Sequence, residues 1–399
     1  MKNSFRPLVV MALAAAFALA SRGEAQTKHL VVSNDDNPAG NSATFYLAGG
    51  TATAPKLTLL KTVSTGGLGI GNGFFATNGV AVIQKSNNRC VFVADGGSAD
   101  IAGISIQGQN VTGNFKGSSG DTGSFFGIGL ATNGNFLYAS FTDSNNIATF
   151  KVGPGCVLTF RADVPAVGLN GFPVGGMALH GNILVVAYVD GSIQSFSVSG
   201  GVPVSNDDEQ FSTGYVADGA FPSGVDITQD GHFAIFGDAC STASCSPTEV
   251  EVSDISSGKL TPTVEYGGPG GGLGAGLNSN NVWLSPDESL LYISNNQSGQ
   301  VTAANFDKTA GTVSVGCTSP PLKGFGSAWT HTVGLATELT SGTGSVLFVA
   351  ESGNPSSVGI LSVRTNGALC KLTESANSPA IDAVSPGLLS IGAFPPRPF

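Results

Sequence analysis

The sequence predicts an all-β fold, a seven-bladed β-propeller built from four-stranded antiparallel blades. Short apolar stretches alternate with a period of two residues, turn residues separate them, and one stretch recurs at intervals of roughly fifty residues. The 399-residue chain has 57 glycines and 20 prolines, and only 11% of its residues are charged. This composition is typical of a turn-rich β protein.

The first 25 residues have the features of a secretory signal peptide. Lys2 and Arg6 precede an uncharged run over residues 8–20, and Ala25 offers a cleavage point before Gln26, with cleavage after Ala20 as the alternative. The run is shorter than the roughly 18 apolar residues that span a bilayer. We therefore expect an exported protein, periplasmic or extracellular, without membrane insertion, in which residues 26–399 form a single propeller domain.

Charge excludes some partners. Removal of residues 1–25 takes away three basic residues and one acidic residue, which leaves 14 basic and 26 acidic residues and a net charge of −12. Nucleic acid is therefore not an expected partner. No GxSxG, HExxH or phosphate-loop motif is present, and we predict no cofactor and no metal. We expect a monomer.

The repeat is clearest in residues 283–307, "WLSPDESLLYISNNQSGQVTAANFD", where turn residues separate three strand candidates. Its central "LYIS" strand has seven copies along the chain. They begin at His29, Cys90, Phe136, Ile183, His232, Leu290 and Val346. Strands before and after these copies complete each blade, and the fourth strand varies most, as expected of an exposed edge.

The two ends of the chain predict how the ring closes. The first copy, "HLVVSND" from His29, has no innermost strand before it, and the chain ends with a spare strand, "GLLSIGAF". If the C-terminal strand joins the N-terminal blade, both leftovers are used and no open edge remains.

The repeat over residues 283–307 resembles that of the lactonase-like, YVTN-type seven-bladed propellers, which include phosphogluconolactonase and carboxymuconate-lactonising enzymes. The resemblance covers essentially all of residues 26–399 through blade count and strand pattern. It implies a site at the mouth of the central channel, where a family repeat typically runs Gly-x-Pro-Arg-His into the innermost strand. The matching positions of this chain carry no Arg or His; they are Val174 and Gly175, Ser223 and Gly224, and Asn280 and Asn281.

Aromatic residues precede the innermost strands of five blades and should share the face at the channel entrance. Packing between adjacent blades is the favoured role for them, and an aromatic rim that binds a carbohydrate, an aromatic molecule or a peptide is the alternative. The candidate ligand-binding residues are Phe75, Phe126, Phe172, Phe221 and Trp329.

Among the four histidines, His331 is the candidate catalytic residue because it starts an innermost strand beside Trp329. A structural role is the favoured alternative. His180 should point into a turn, and His29 and His232 carry no evident function. Glu338 lies seven residues beyond His331, about 23 Å along a strand, which is too far for a catalytic pair.

Six cysteines in an exported chain predict disulfides. Blade topology favours pairing Cys90 with Cys156, Cys240 with Cys245, and Cys317 with Cys370. The acidic segments from Ser33 and Ser205 could hold calcium, although neither has a regular ligand spacing, and solvated turns are the favoured interpretation.

For function, the missing basic residues favour a binding scaffold that recognises a small molecule, carbohydrate or protein at the channel mouth. A lactone hydrolase or cycloisomerase with a rearranged site around His331, Trp329 and Asp226 is the alternative enzyme interpretation. A structural or surface-adhesive role is the third. An enzyme needs at least two ionisable groups within reach of one substrate atom, whereas a binding module needs shape and aromatic faces.

Overall fold

The computed structural model describes residues 29–51, 53–71, 78–85, 88–108, 110–121, 127–239, 248–267, 272–274, 278–324, 334–337, 344–351, 356–366, 369–382 and 390–394. Nearly all of the regular structure is strand.

The strands are numbered in chain order, and the sheets that they form are the blades. In the first half of the chain they are β1 (Leu30–Asn34), β2 (Ser42–Thr51), β3 (Ala54–Ser64), β4 (Val80–Lys85), β5 (Asn88–Asp95), β6 (Asp100–Gln107), β7 (Asn110–Gly117), β8 (Ile128–Thr132), β9 (Phe136–Phe141), β10 (Asn146–Val152), β11 (Leu158–Pro165), β12 (Val174–His180), β13 (Ile183–Tyr188), β14 (Ser192–Ser197), β15 (Val204–Ser205) and β16 (Gln210–Phe211). One helix follows, α1 (Thr213–Asp218). The remaining strands are β17 (Phe221–Ile227), β18 (Phe233–Ala239), β19 (Val250–Asp254), β20 (Val264–Tyr266), β21 (Ser279–Leu284), β22 (Leu290–Asn295), β23 (Gln300–Asp307), β24 (Thr312–Thr318), β25 (Gly334–Thr337), β26 (Gly344–Glu351), β27 (Ser356–Asn366), β28 (Leu369–Glu374), β29 (Ala380–Asp382) and β30 (Ser390–Phe394).

These strands form seven antiparallel sheets in a ring, which confirms the predicted seven-bladed propeller. The sheets have the orders β3-β2-β1-β30, β4-β5-β6-β7, β11-β10-β9-β8, β12-β13-β14-β15, β17-β18-β19-β20, β21-β22-β23-β24 and β25-β26-β27-β28. They are blades 1 to 7, in the order of their second strands along the chain. All seven copies of the repeat are second strands, next to the innermost strand of their blade.

The ring closes as the sequence predicted. The C-terminal strand β30 is the innermost strand of blade 1 and pairs antiparallel with β1, with Leu30 opposite Phe394 and Asn34 opposite Ser390. Phe394 is 1% exposed and packs with residues of blades 1 and 2. Closure therefore joins the two ends of the chain through both hydrogen bonds and a hydrophobic contact.

The core lies between neighbouring blades, because alternate residues of each strand face the next blade. The cluster between blades 2 and 3 includes the fully buried Phe92, Phe141 and Phe150. The cluster between blades 4 and 5 includes Val185 and Phe236. Apolar alternation in the repeat thus supplies the packing that holds each blade to the next.

The outer edge of blade 4 departs from the repeat. Two short strands, β15 and β16, pair with β14 in place of one full fourth strand. Helix α1 then leads into blade 5, with the Ser212 hydroxyl accepting the N–H of Tyr215 as the N-cap and Gly219 in the left-handed conformation as the C-cap. The six residues of α1 are too few to show a helical period in the sequence.

One of the three predicted disulfides is confirmed. Cys90, at the start of β5, is bonded to Cys156, in the turn between β10 and β11, so the bridge joins blades 2 and 3. Cys317 is also disulfide-bonded. The side chain of Cys370 and the residues Cys240 and Cys245 lie outside the described part of the chain, so the other two pairings stay predictions. Within the described ranges, no helix has the length and apolar character needed to cross a bilayer.

Candidate functional site

The upper face of the propeller is the face on which the innermost strands begin and the second strands end. Of the predicted site residues, Phe172 and Phe221 lie on this face within the described ranges. Phe172 precedes β12 and is 49% exposed, whereas Phe221 begins β17 and is 8% exposed. Phe75, Phe126, Trp329 and His331 lie outside the described residues, and so does Glu338.

Phe172 belongs to a surface loop, residues 166–173, that is held in place by hydrogen bonds. The N–H of Gly168 donates to the carbonyl of Phe172 at 2.9 Å, and the N–H of Asn170 donates to the Asp190 carboxylate at 2.6 Å. Leu169 is exposed beside Phe172, at 47% of its surface. The loop therefore presents two large apolar side chains in a defined backbone conformation, which suits a contact surface.

The channel wall is irregular where three neighbouring innermost strands begin. A β-bulge interrupts the pairing between Val174 and Gly176 in β12, between Pro222 and Val225 in β17, and between Ser279 and Asn281 in β21. Bulges re-aim side chains and often lie next to active sites. The positions where the family resemblance places Arg and His fall on these bulges.

Packing at the blade 5 bulge leaves no room for a side chain. A Cβ placed on Gly224 would lie 2.6 Å from the Cα of Asn281 and 2.9 Å from the carbonyl oxygen of Asn280. The Ser223 hydroxyl donates to the same Asn280 carbonyl. Strands β17 and β21 therefore touch directly at the place where a histidine would stand.

Side-chain hydrogen bonds also link the innermost strands of different blades. The Asn78 amide, just before β4, donates to the carbonyl of Met177 in β12 at 2.8 Å. Asp226, in β17, accepts the N–H of Leu284 in β21 at 2.8 Å and is 6% exposed. Asp226 had been named as a possible catalytic partner of His331, but its hydrogen bond to a neighbouring strand gives it a structural role.

Carboxyl groups recur at the upper face in a pattern that the sequence analysis missed. An acidic residue stands at or just after the end of the second strand in six blades, at Asp35, Asp95, Asp143, Asp190, Asp238 and Glu351. In four of these blades, a glycine from the preceding connection lies against this carboxyl group or against the carboxylate beside it. A Cβ on that glycine would collide with the carboxyl oxygens. The four glycines are Gly67, Gly168, Gly214 and Gly324. The sequence contains this pattern, because six copies of the repeat have an acidic residue at or just after the end of the apolar strand.

Blade 5 contains the densest group of carboxyls, under helix α1. Glu251 accepts the N–H groups of Thr213 and Gly214, at 3.1 and 2.8 Å, so the helix N-terminus stabilises its negative charge. Asp238 is 1% exposed, and burial together with Glu251 and Glu249 raises its pKa well above the usual range. The uncharged form of Asp238 is therefore favoured.

Three further carboxyls on this face titrate near neutral pH. Burial, with the charges of Asp218, Glu265 and Glu251, raises the pKa of Glu249 to about 8. Burial and a hydrogen bond with Asp100 raise the pKa of Asp95 to about 8, and burial raises that of Glu351 to about 7. Groups with such values can act as general acids or bases at pH 7 if a substrate reaches them.

Comparison with solved structures identifies the fold. A proposed 6-phosphogluconolactonase from Bacteroides fragilis has a TM-score of 0.63 at 15% identity, with 93% of this chain and 99% of that chain covered. A second proposed 6-phosphogluconolactonase, from Bacteroides uniformis, has a TM-score of 0.65 at 10% identity, with 92% and 99% covered. The periplasmic gluconolactonase of Pseudomonas aeruginosa has a TM-score of 0.61 at 14% identity, with 90% and 99% covered.

The chain has the fold of the lactonase-like seven-bladed propellers. No family model matches its sequence. No curated protein matches it either. At 10–15% identity the likeness is one of architecture, so the chemistry of this propeller follows from its own residues.

Charge is unevenly distributed along the chain. Residues 174–307, from the start of blade 4 to the end of the third strand of blade 6, contain fifteen acidic residues and a single basic one, Lys259. This excess of negative charge disfavours anionic ligands and favours cationic ones. Among the described residues, no group of three His, Cys, Asp or Glu is arranged to hold a metal ion.

The acidic segment from Ser33 is not the solvated turn that the sequence favoured. Asp35 and Asp36 are fully buried. Asp35 accepts hydrogen bonds from the hydroxyls of Ser42 and Thr44, and Asp36 accepts the N–H of Ile70. That interpretation was wrong because the upper connection of blade 1 folds over these carboxylates and supplies their partners. In the segment from Ser205, Asp207 is exposed.

The described histidines, His29, His180 and His232, lie apart from the carboxyl groups of the upper face. His180 ends β12 on the opposite, lower face, where it lines a cavity instead of only filling a turn. His232 is 58% exposed and lies 3.5 Å from Asp230. His29 is half-buried, and burial lowers its pKa.

Proposed function

We propose that this protein is an exported binding propeller, and that the upper mouth of its channel recognises a ligand or partner without hydrolysing it. The observation that carries the proposal is the contact between Gly224 and Asn281. It fills the position where the family resemblance places a catalytic histidine. The adjacent bulges bear Val174 and Asn280, which offer no charge to polarise an ester carbonyl and no tunable base.

The charge of residues 174–307 indicates which ligands the propeller can bind. Lys259 is the only basic residue in this range, so the range supplies no cluster of cations for a phosphate. A 6-phosphogluconolactonase acts on a phosphorylated sugar lactone, and the acidic surface of this chain disfavours such a molecule. The ligand that fits is uncharged or cationic, for example a carbohydrate, an aromatic molecule or a basic segment of a protein.

Phe172 and Leu169 are the described contact residues of this surface, because both are large, apolar and exposed on an anchored loop. The other aromatic candidates, Phe75, Phe126 and Trp329, precede innermost strands in the same way along the sequence. Aromatic side chains bind sugars and apolar groups through broad faces at little conformational cost.

Lactone hydrolysis is the second candidate, and two observations favour it. The solved structures that share the fold include a periplasmic gluconolactonase. Burial also gives Glu249 and Glu351 pKa values of about 8 and about 7, suitable for general acid or base catalysis. Asn78 and Ser223 on the innermost strands could position an uncharged sugar lactone.

One pair of assays separates the two functions. Ring opening of glucono-δ-lactone, its 6-phosphate and a panel of aliphatic and aromatic lactones is followed by pH-stat, with residues 26–399 and a His331→Ala variant. No turnover above buffer is the result that the proposal expects. Turnover that His331→Ala abolishes would replace it with the enzyme function.

Binding is then tested by thermal shift with neutral sugars, amino sugars and sugar phosphates. We expect stabilisation by neutral or amino sugars, loss of it in Phe172→Ala, and no loss in the control Leu59→Ala, which removes an exposed apolar side chain from the outer strand β3. Equal responses of the two variants would contradict a role for the upper face.

Export is part of the proposal. The Cys90–Cys156 disulfide supports it, since such bonds persist in oxidising compartments. N-terminal sequencing of protein recovered from the periplasm or medium should begin at Gln26. Recovery of residues 1–25 on a cytosolic protein would contradict it.

A further inference from the structure

The lower face, where the innermost strands end, contains a cavity of 360 Å³ that is separate from the upper mouth. Turns of three consecutive blades form it. Its lining residues are Thr132, Asn133, Leu179, His180, Gly181 and Gln229. This volume lies at the lower end of the range for small-molecule sites, about 300–1,000 Å³, and suits a molecule the size of a monosaccharide.

The hydrogen-bonding groups of the lining suit a hydroxylated ligand. The Asn133 side-chain oxygen accepts the N–H groups of Asn135 and Phe136, so the turn uses the oxygen and leaves the Nδ2 hydrogens for other partners. The Gln229 Nε2 donates to the carbonyl of Pro286 at 3.0 Å, which leaves its Oε1 as an acceptor. A donor and an acceptor at one cavity match a hydroxyl group, which is both.

The cavity is held open by a glycine. A Cβ on Gly231 would lie 2.6 Å from the Cδ2 of His180, so the imidazole rests against the Gly231 backbone. Leu179 is 7% exposed and contributes an apolar wall. A hydrophobic wall beside a few polar groups is the usual composition of a small-molecule site.

Charge around the cavity disfavours anions. The six lining residues include no carboxylate and no lysine or arginine. The Glu288 carboxylate accepts the N–H of Gln229, and Asp230 follows one residue later, so an anion would meet repulsion. A neutral ligand avoids this repulsion and needs no charged partner in the lining.

We propose that this lower cavity is a second binding site, for a small neutral polyhydroxylated molecule of monosaccharide size. Asn133 and Gln229 hold its hydroxyl groups, and Leu179 packs against its carbon face. The site does not depend on the proposed function of the upper mouth, because no residue lines both.

The test uses residues 26–399 and two probes of one size, D-glucose and D-gluconate. The chain has four histidines, so its imidazole NMR spectrum is simple, and a His180→Ala variant assigns the His180 signal. We expect D-glucose to shift the His180 signal with a dissociation constant in the millimolar range and the anionic D-gluconate to bind at least fivefold more weakly.

Variants locate the binding. Gln229→Ala should weaken D-glucose binding about fivefold, the effect of one lost hydrogen bond. His232→Ala is the matched control on the same face, because its side chain is 58% exposed and does not line the cavity, and it should leave the dissociation constant unchanged. Unchanged signals from the other histidines show that Gln229→Ala is folded. A His180 signal that D-glucose does not move, or that moves equally in Gln229→Ala, would overturn the proposal.

Discussion

Asp238 and Glu251 lie side by side beneath the N-terminus of helix α1. The helix donates the N–H groups of Thr213 and Gly214 to the Glu251 carboxylate. Burial of Asp238, together with the charges of Glu251, Glu249 and Glu265, raises its pKa well above the usual range. Helix α1 is therefore anchored to blade 5 beside a buried carboxyl group whose charge depends on pH.

Asp238→Asn should make stability less dependent on pH. A carboxyl whose folded-state pKa is raised contributes stability that is complete below its unfolded pKa, about 4, and is lost as pH rises through the folded pKa. Asp95, Glu249 and Glu351, with pKa values of about 8, 8 and 7, add to the same fall. Each such group contributes about 1.4 kcal/mol per pH unit within its window.

The measurement is the free energy of unfolding in urea between pH 4 and 9. The amide of the variant does not titrate, so its curve should fall less steeply than that of the wild type. Asp254→Asn is the control, because hydrogen bonds to Ser256 lower the pKa of that exposed carboxyl. Identical slopes for wild type and Asp238→Asn would show that Asp238 is not protonated in the folded protein.

Gly224→Ala should destabilise the ring by about 1–3 kcal/mol, the usual cost of overpacking. The added Cβ would press against Asn281 and the Asn280 carbonyl, which cannot move without shifting β21. Gly49→Ala is the control, since nothing lies within 4 Å of its Cβ, and it should change stability by less than about 0.5 kcal/mol. Both are measured by urea unfolding. Equal, small effects would mean that the upper channel has room for a side chain at position 224, which would reopen the catalytic interpretation.

The fold could be predicted because its evidence is local and repeated. The alternation in "HLVVSND" or "LLYIS" is visible within seven residues, and seven copies at one spacing define a ring. The spare strand over 387–394 predicted the pairing of β30 with β1, although these strands are more than 350 residues apart. The prediction succeeded because a blade without its innermost strand would leave unpaired backbone N–H and C=O groups at an open edge.

The site could be predicted only in part, because its properties depend on contacts between blades. That Gly224 has no room for a side chain follows from its distance to Asn281, 57 residues away, and no local pattern encodes it. Burial of Asp35 likewise depends on a connection that folds over it, so the composition of its segment alone indicated a solvated turn. We predicted that His180 points into a turn. The cavity beside it is lined in part by Gln229 of the next blade, and the local sequence around His180 does not encode that contact.

Replacing both Cys90 and Cys156 by alanine should cost about 2–4 kcal/mol, since the bridge closes a loop of 66 residues and constrains the unfolded chain. Thermal unfolding of the double variant is compared with that of the wild type, each with and without reductant. Reductant should lower the unfolding temperature of the wild type toward that of the double variant, and it should change the unfolding temperature of the variant less. A variant as stable as the oxidised wild type would show that packing alone holds blade 2 to blade 3.

Phe394→Ala tests whether ring closure stabilises the whole propeller. Phe394 is 1% exposed and packs with Leu30 and Val91, and the Arg89 guanidinium lies 5.3 Å from its ring centroid. Its loss should cost about 3–5 kcal/mol, as for other buried phenylalanines. Phe160→Ala, on the outer strand β11 and 39% exposed, is the control and should cost about 1 kcal/mol or less.

Urea unfolding followed by two probes shows how far the effect of Phe394→Ala extends. If β30 closes the ring, the variant should unfold in one cooperative transition at lower urea, because blade 1 holds both chain ends and its loss exposes the apolar faces of blades 2 and 7. The contrary result would be a separate early transition in blades 1 and 2, which contain no tryptophan, while the urea midpoint of the Trp283 fluorescence transition stays unchanged. It would mean that the remaining blades are stable as an open arc.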